Sequence, residues 1–463
     1  LKKVRLNIED VFEIPTARIY SPDDFKPVSH ITIDSRKIRK GSLFIAIKGK
    51  RFDGHEFVGK SVKNGASAVV INRRNLNEFD NIDIPIITVT DTTKALGYIA
   101  NMWRRKLNTK IIGITGSTGK TTTKDMLATL LEEKYKVNKT ISNNNNHIGV
   151  PITILSTNER HDLLVSELGT NHFGEIEYSA NILEPDYSLI TNIGNSHLKY
   201  LKNKRGVLKE KSKLFDITDK HKGKLFINYD DPMLKDYSQR FDEFFSFGFS
   251  RNADVSGKIT GYTNDGRPVV RVKYKNRIIE NTLPLYGEQS ASSYLAAVAI
   301  AFELGLSNKH INEGTKKLAV TGGRLKVLKK KNAILIDDSY NASPDSMKSA
   351  IDLAKKIKSY KRKVLILGDM LELGKDRIKL HQSLANQIIN TGIDEVYSIG
   401  SSMRSLTEKL NSPKIIARNF RTRKSLLDFL NTYEFANKVI LVKGSRGMRM
   451  EEFSEAILNK VKN

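Results

Sequence analysis

Ile111-Ile112-Gly113-Ile114-Thr115-Gly116-Ser117-Thr118-Gly119-Lys120-Thr121-Thr122 decides the fold class. An apolar run passes into a glycine-rich turn and then into a segment that sets Met126, Leu127, Leu130 and Leu131 on one helical face. Strand, loop and helix in that order make the repeating unit of a parallel sheet covered by helices. Glycines let backbone amides close around phosphate oxygens, and the helix start adds positive potential. Lys120 is placed to reach the β and γ phosphates, and the Thr121 hydroxyl suits Mg2+. Gly116, Ser117, Thr118, Gly119, Lys120, Thr121 and Thr122 are therefore candidate ligands of ATP or GTP. The spacing departs from the commoner G-x-x-x-x-G-K-[ST] pattern, whose first glycine would fall on Ile114.

Outward from this loop, short apolar runs alternate with amphipathic stretches nearly throughout, which predicts an α/β protein. At ~100 to 200 residues per domain, 463 residues predict two to four domains. Strand-like runs at Ile31–Ile33, Leu43–Ile47, Ala68–Ile71 and Ile84–Val89 and a helix over Thr93–Lys106 precede a polar break at Leu107–Lys110. The first boundary is placed there. From Ile111 the βα alternation turns β-rich, with a hairpin turn at Thr263-Asn264-Asp265-Gly266, and ends in a helix over Ala291–Leu304. After Gly322-Gly323 come four strand candidates, Ala333–Ile336, Val364–Leu367, Val396–Ile399 and Val439–Val442, the pattern of a separate doubly wound domain. The expected domains are 1–107, 108–319 and 320–463.

Lys and Arg number 77 against 51 Asp and Glu, a formal charge of +26, which raises nucleic acid, a membrane surface or acidic substrates as partners. The excess is +9 over 1–110, +4 over 111–320 and +13 over 321–463, so it is dispersed and not a tail. There is no cysteine, which excludes disulfide frameworks, thiolate zinc sites and cysteine nucleophiles. No run approaches the ~18 to 20 apolar residues of a membrane span, and the opening ten residues lack the apolar core of a signal peptide. A cytoplasmic protein without membrane insertion is expected.

Ligands of open parallel sheets gather beyond the carboxyl ends of the strands. Leu163-Leu164-Val165 leads there to Ser166-Glu167, and Leu189-Ile190-Thr191-Asn192-Ile193-Gly194 leads to Asn195-Ser196-His197. A carboxylate beside a phosphate loop is a natural Mg2+ ligand, and a neutral imidazole suits a second metal. The amides of Asn143–Asn146, ahead of His147-Ile148-Gly149-Val150-Pro151, suit a substrate or nucleotide edge, or simply a turn-rich loop.

Taken together these residues resemble the Mur ligases, ATP-dependent amide-forming enzymes of peptidoglycan precursor synthesis. The likeness runs over essentially the whole chain, and the loop Thr115 to Thr121 is similar to that family's distinctive phosphate loop. Four stretches bring it nearest to the member that adds D-alanyl-D-alanine to UDP-N-acetylmuramoyl-tripeptide. They are Asn143–Pro151; Glu167–His172 with Gly174-Glu175-Ile176; Asp337–Met347; and Gly368–Gly374. Lys443–Met448 fits as well.

The resemblance implies three domains: an N-terminal α/β domain holding the UDP end of a sugar nucleotide, a central P-loop ATPase domain with a mainly parallel sheet, and a C-terminal Rossmann-like domain closing over the site. It implies ATP and Mg2+, two ions, with Lys120 on the phosphates and Thr121 and Glu167 on metal. His197 falls at a second metal position, and Lys211 matches the family's carbamylated lysine. Lys120, Glu167, His197 and Lys211 are thus the implied catalytic residues. Arg324, Asp338 and Lys443 match positions near ATP and the reacting phosphate. Ser445 and Arg446 fall with Lys443 among implied substrate contacts, near the incoming dipeptide, as do Asn143, Asn145 and Asn146. Ser35, Arg36, Lys48 and Gly49, in Asp34-Ser35-Arg36 and Lys48-Gly49 beside Asp53-Gly54-His55, match the N-terminal signature. The implied partners are two small-molecule substrates, UDP-N-acetylmuramoyl-tripeptide and D-alanyl-D-alanine, taken by a monomer without nucleic acid.

The chain departs from the family at three places. Gly287-Glu288-Gln289-Ser290-Ala291-Ser292-Ser293 stands where Gly-x-His-Asn-x-x-Asn is usual, Ser142 replaces a glycine, and Ser343 replaces an asparagine. Altered nucleotide affinity is the expected consequence. A sister Mur ligase or folylpolyglutamate-type ligase, a nucleic-acid-stimulated P-loop ATPase and a regulatory protein without catalysis are the alternative readings. Against the ATPase, there is no basic-aromatic recognition stretch.

Overall fold

The apolar runs between Lys110 and Gly248 are buried beyond their first residue or along their whole length, as strands covered on both faces must be, and they form the parallel body of one large sheet. In a computed structural model of the chain, which describes residues 6–49, 52–319, 325–410 and 412–461, the described residues carry three sheets, of five, nine and six strands. In the nine-stranded sheet the strands follow the order Arg277–Thr282, Pro268–Tyr274, Val255–Tyr262, Phe245–Gly248, Lys224–Asn228, Tyr187–Ile190, Lys110–Thr115, Leu163–Glu167, Val137–Lys139. All neighbours run parallel except the two pairs at the Arg277–Thr282 edge. The hairpin turn falls at Thr263–Gly266, where Gly266 takes φ +89° and donates to the Thr263 carbonyl.

From Lys110–Thr115 the chain first builds outward on one side, to Val137–Lys139 and Leu163–Glu167, and then crosses to Tyr187–Ile190 on the other. That reversal is a topological switch point, and the crevice it opens lies where the glycine-rich loop begins. The following helix, Lys120–Leu131, buries Met126, Leu127, Leu130 and Leu131 against the alanine-rich helix Gly287–Glu303. That helix starts four residues before the predicted Ala291, because its first turn is polar.

The N-terminal sheet runs Arg18–Tyr20, Ile86–Val89, Ala66–Asn72, Ser42–Ile45, His30–Thr32, with only the first pair antiparallel. Helix Thr92–Lys106 then joins it to the central sheet. Trp103 donates its indole N–H to the Thr157 carbonyl, and Arg104 reaches the Leu183 and Glu184 carbonyls and Asp186. Asp186 also accepts from the Ile111 amide at 2.8 Å and from Lys110 at 3.1 Å. One carboxylate thus fixes the start of the phosphate-loop strand to the end of the joining helix.

The C-terminal sheet runs Lys326–Lys329, Ala333–Asp338, Lys438–Lys443, Arg362–Gly368, Glu395–Ile399, Ile416–Phe420, parallel but for the first pair. Helix Pro344–Lys356 packs on one face and Glu451–Val461 on the other, a doubly wound arrangement. The two strands beyond the four predicted, Lys326–Lys329 and Ile416–Phe420, are both edges. Among the described residues no helix is long and apolar enough to cross a membrane. Asp186→Ala is expected to lower the stability of the first unfolding transition by about 1–3 kcal/mol, since it strands the buried Ile111 N–H and removes the carboxylate that Arg104 pairs with. Urea denaturation followed by circular dichroism checks this, and an unshifted midpoint would show that the junction does not depend on it.

Candidate active site

Gly116 takes φ +148°, and a Cβ there would collide with Thr191 Oγ1 on the neighbouring strand end, so only glycine lets the loop turn this closely. That strand end holds the loop. Thr191 Oγ1 donates to the Thr118 carbonyl at 2.6 Å, Asn192 Oδ1 accepts from the Thr118 amide at 3.1 Å, and the Ser117 amide donates to the Asn192 carbonyl at 3.0 Å. Lys120 Nζ folds back onto the Gly116 carbonyl at 2.7 Å. Ser117 through Thr122 line a cleft of about 470 Å3.

Glu167 ends the strand beside the loop and is buried. One carboxylate oxygen accepts from Thr121 Oγ1 at 2.7 Å and the other from Asn145 Nδ2 at 2.9 Å. The asparagine run therefore divides its work: Asn145 orients Glu167, Asn143 lines the cleft, and Asn146 caps helix Gly149–Leu155 through the Ile148 and Gly149 amides. Ser142, where the family has glycine, sits at φ +54°, the left-handed region that explains the usual residue. A hydroxyl and a carboxylate oxygen on one hydrogen bond suit a small oxygen-preferring cation. Among the described residues no three His, Asp or Glu side chains converge, so substrate phosphate would have to complete any such site.

Lys211 is 1% exposed at the end of helix Lys204–Lys211, and no described residue accepts a hydrogen bond from its ammonium. Burial, and then the charge of Lys120, hold it well below the usual lysine range. Its neighbour Glu210 is equally buried but fully engaged, accepting from the Gly174 amide at 2.7 Å, the Ile176 amide at 2.8 Å and Thr170 Oγ1 at 3.1 Å. Glu210 thereby caps helix Glu175–Leu183, whose own N-cap, Gly174, has no side chain to do so.

The other wall of the cleft comes from the C-terminal domain. Lys443, 1% exposed, pairs with Asp338 and donates to the Asn341 carbonyl at 2.9 Å. Burial pushes the Asp338 carboxyl up and Lys443 pulls it back. Ser445 Oγ accepts from the Leu371 amide at 2.8 Å, while Arg446 stays on the rim over Tyr340 and paired with Glu451. Ser343 caps helix Pro344–Lys356, so the serine that replaces asparagine keeps a capping role. Gln289 and Ser290 also line the cleft, which puts the unusual Gly287–Ser293 stretch beside the phosphate loop. Hydrogen bonds cross between the walls. Asp345 accepts from the Asn195 amide at 3.1 Å, and His197 Nδ1 lies 2.7 Å from Glu372 Oε2, a bond that holds the Glu372 carboxyl below its usual range.

The structure thus brings the loop, Glu167, His197, Asp338, Lys443, Ser445, Arg446, Asn143, Asn145 and Asn146 to one cleft, with Lys211 buried behind it. Arg324 lies outside the described residues. Ser35, Arg36, Lys48 and Gly49 line no part of this cleft: Arg36 is bidentate to Asp34 at 2.9 Å, Lys48 faces Asp53 at 3.5 Å, and both side chains are open to solvent in the N-terminal domain. Glu210, Asp345 and Glu372 are site residues that sequence reading did not single out. The last two lay inside quoted motifs, while Glu210 sits in the charged run Lys209-Glu210-Lys211, which reads as a solvated face.

The Mur ligase middle domain matches residues 114–301, the Mur ligase glutamate ligase domain 323–446, and the Mur ligase family catalytic domain 27–104. The UDP-N-acetylmuramoyl-tripeptide--D-alanyl-D-alanine ligase of Bacillus subtilis (strain 168) is 33% identical over 98% of this chain and 99% of its own. A crystal structure of MurF from Acinetobacter baumannii superposes with TM-score 0.87 at 28% identity, covering 99% of this chain and 100% of that one. MurF ligase from Thermotoga maritima in complex with ADP superposes with TM-score 0.83 at 27% identity, covering 94% and 98%. With three of its domains matching in order and a relative this similar along nearly its full length, the chain belongs to the Mur ligase family.

Proposed function

We propose that this chain is the ATP-dependent ligase that joins D-alanyl-D-alanine to UDP-N-acetylmuramoyl-tripeptide, the last cytoplasmic step in building the UDP-muramoyl-pentapeptide of peptidoglycan. The observation that carries this reading is one cleft in which the phosphate loop and Glu167 face Lys443 and Asp338 of the C-terminal domain, in a chain similar end to end to ligases of that name. Residues 1–107 hold the UDP end, 108–319 bind ATP, and 320–463 close over the site. Ser35, Arg36, Lys48 and Gly49 serve the sugar nucleotide, and their distance from the cleft suits a substrate long enough to span two domains. The protein acts as a cytoplasmic monomer on small molecules, without nucleic acid.

A carboxylate is a poor electrophile until its oxygen becomes a leaving group. The terminal carboxylate of the tripeptide attacks the γ-phosphorus of ATP, giving an acyl phosphate and ADP. The dipeptide amine then attacks the acyl carbon, and phosphate departs as the amine loses its proton. Lys120, on leaving the Gly116 carbonyl, and the first-turn amides of the following helix meet the transferring charge, so this chain contributes mostly position and electrostatics. Closure of the C-terminal domain keeps water from the acyl phosphate. Thr121 and Glu167 would hold Mg2+, which would supply further charge neutralisation at the phosphates. His197 would hold a second ion, its Nδ1 being engaged by Glu372. Lys211 can ligate only as its carbamate, and the neutral amine that burial favours is the form that adds CO2.

Phosphate release from ATP is expected only with both UDP-muramoyl-tripeptide and D-alanyl-D-alanine present. Release that responds to DNA or RNA instead would overturn the reading. Lys120→Ala is expected to abolish turnover while leaving binding of the UDP substrate, measured by calorimetry, within about two-fold. For Lys211→Ala, turnover should fall at least about 100-fold and return in part with short carboxylates such as formate. Activity indifferent to both bicarbonate and added carboxylates would rule out the carbamate.

A further inference from the structure

The segment Asp369–Gly374, which forms one lip of the cleft, is held residue by residue. The Asp369 carboxylate accepts from the Met403 amide at 2.7 Å, and its carbonyl accepts from the Ser445 amide at 3.1 Å. Leu371 donates its amide to Ser445 Oγ, and Glu372, at φ +62°, reaches His197 while its carbonyl accepts from the Lys199 amide at 3.0 Å. Ser445, His197 and Lys199 belong to the cleft or to the central-domain face beside it, whereas Met403 lies in the C-terminal core. Met370 is likewise fixed from outside the cleft. Its amide donates to Nε2 of His381 at 2.9 Å, and His381 has no exposed surface at all.

His381 Nδ1 lies 2.6 Å from the Arg377 carbonyl one helical turn back. A carbonyl only accepts, so Nδ1 carries the proton and Nε2 presents the lone pair that Met370 needs. The arrangement works only with a neutral ring, since a second proton would set two donors face to face. Burial keeps the ring below its usual range; the charge of Asp369, 3.9 Å away, works against that and the charge of Arg377 works with it. No other described group competes for Nε2.

We propose that His381 is a positioning residue for the ligase reaction: by accepting from the Met370 amide it sets the lip that delivers Glu372 to His197 and Leu371 to Ser445. It touches neither substrate nor reacting atoms. The inference rests on the ligase reading for its activity readout, and on geometry alone for a second one.

The test is a pair of substitutions that separate the two ring nitrogens. The amide oxygen of Gln reaches the place of Nε2 and can still accept from Met370, whereas Asn reaches only the place of Nδ1. With wild-type coupling of phosphate release to both peptide substrates established first, H381N is expected to lower kcat about ten-fold, the effect of one unpaired buried amide. The KM for ATP should stay within about two-fold, because the phosphate loop is untouched. H381Q is expected to recover most of the loss. Hydrogen exchange of the full chain, read by mass spectrometry over residues 369–374, should quicken at least about ten-fold in H381N and stay near wild type in H381Q. Equal activity losses in both variants, or unchanged exchange in H381N, would overturn the proposal. Should wild type show no coupled release, the ligase reading fails while the exchange measurement still decides whether His381 holds the lip.

Discussion

A phosphate loop must hold an open shape, and here the next strand imposes it. Thr191 and Asn192 take up the Thr118 carbonyl and the Ser117 and Thr118 amides, which fixes the first half of the loop and leaves the first-turn amides of helix Lys120–Leu131 for an anion. The same strand end then continues into Gly194 and Asn195, where Asp345 of the C-terminal domain docks, and into His197, which meets Glu372. Seven residues therefore set the shape of the loop and the seat of the domain that closes on it. Gly194 is part of this: a Cβ would stand 2.5 Å from Asp345 Oδ2, so the close approach of the two domains needs a position without a side chain. Any displacement of this strand end would move the loop and the interdomain contacts together.

Around that hinge point the cleft concentrates buried charge, and the partners are unevenly supplied. Glu167 and Glu210 are satisfied by neutral donors, and Lys443 and Asp338 by each other. Lys211 has neither. An isolated buried ammonium costs several kcal/mol, so a site that keeps one must either neutralise it or use it. Among these buried charges Lys211 is the exception, which is why the proposed carbamate is placed there. The Thr121–Glu167 bond has a related property: Asn145 holds the second carboxylate oxygen, so Glu167 keeps its direction whether or not Thr121 continues to donate.

What the sequence disclosed follows from how far each interaction reaches along the chain. Central strands such as Leu163–Glu167 and Lys438–Lys443 read clearly because burial on both faces leaves an unbroken apolar run. Arg18–Tyr20, Lys326–Lys329 and Ile416–Phe420 did not, since an edge strand is half solvated and its composition is that of a loop. The glycine loop was legible as a local pattern and Glu167 and His197 as polar groups at strand ends beside it, whereas Lys211 drew its role from family likeness alone. The contacts that position them were hidden for a different reason. Glu210 reaches a helix N-terminus more than thirty residues away, Asp345 pairs with an amide 150 residues back, and His381 acts on a backbone atom that no pattern of side chains reports. Such couplings exist only once the sheets have been stacked.

The net charge of +26 takes on a definite shape in this arrangement. The central domain must spend carboxylates on Glu167, Glu210 and Asp186 to build its site and its junction, yet it also needs Lys120 and Lys211, and its excess comes to only +4. The flanking domains carry the remainder, and most of their lysines and arginines are at the surface, some in exposed pairs such as Arg404–Glu408 that contribute little to stability. Exposed surplus of one sign acts at longer range, raising the local concentration of anions and falling off with salt over a Debye length of about 8 Å. ATP and a UDP-linked peptide are both polyanions, and the proposed reaction needs both bound at once. Placing the surplus outside the central domain attracts them without adding cations beside Lys211, where another positive charge would be hardest to bear.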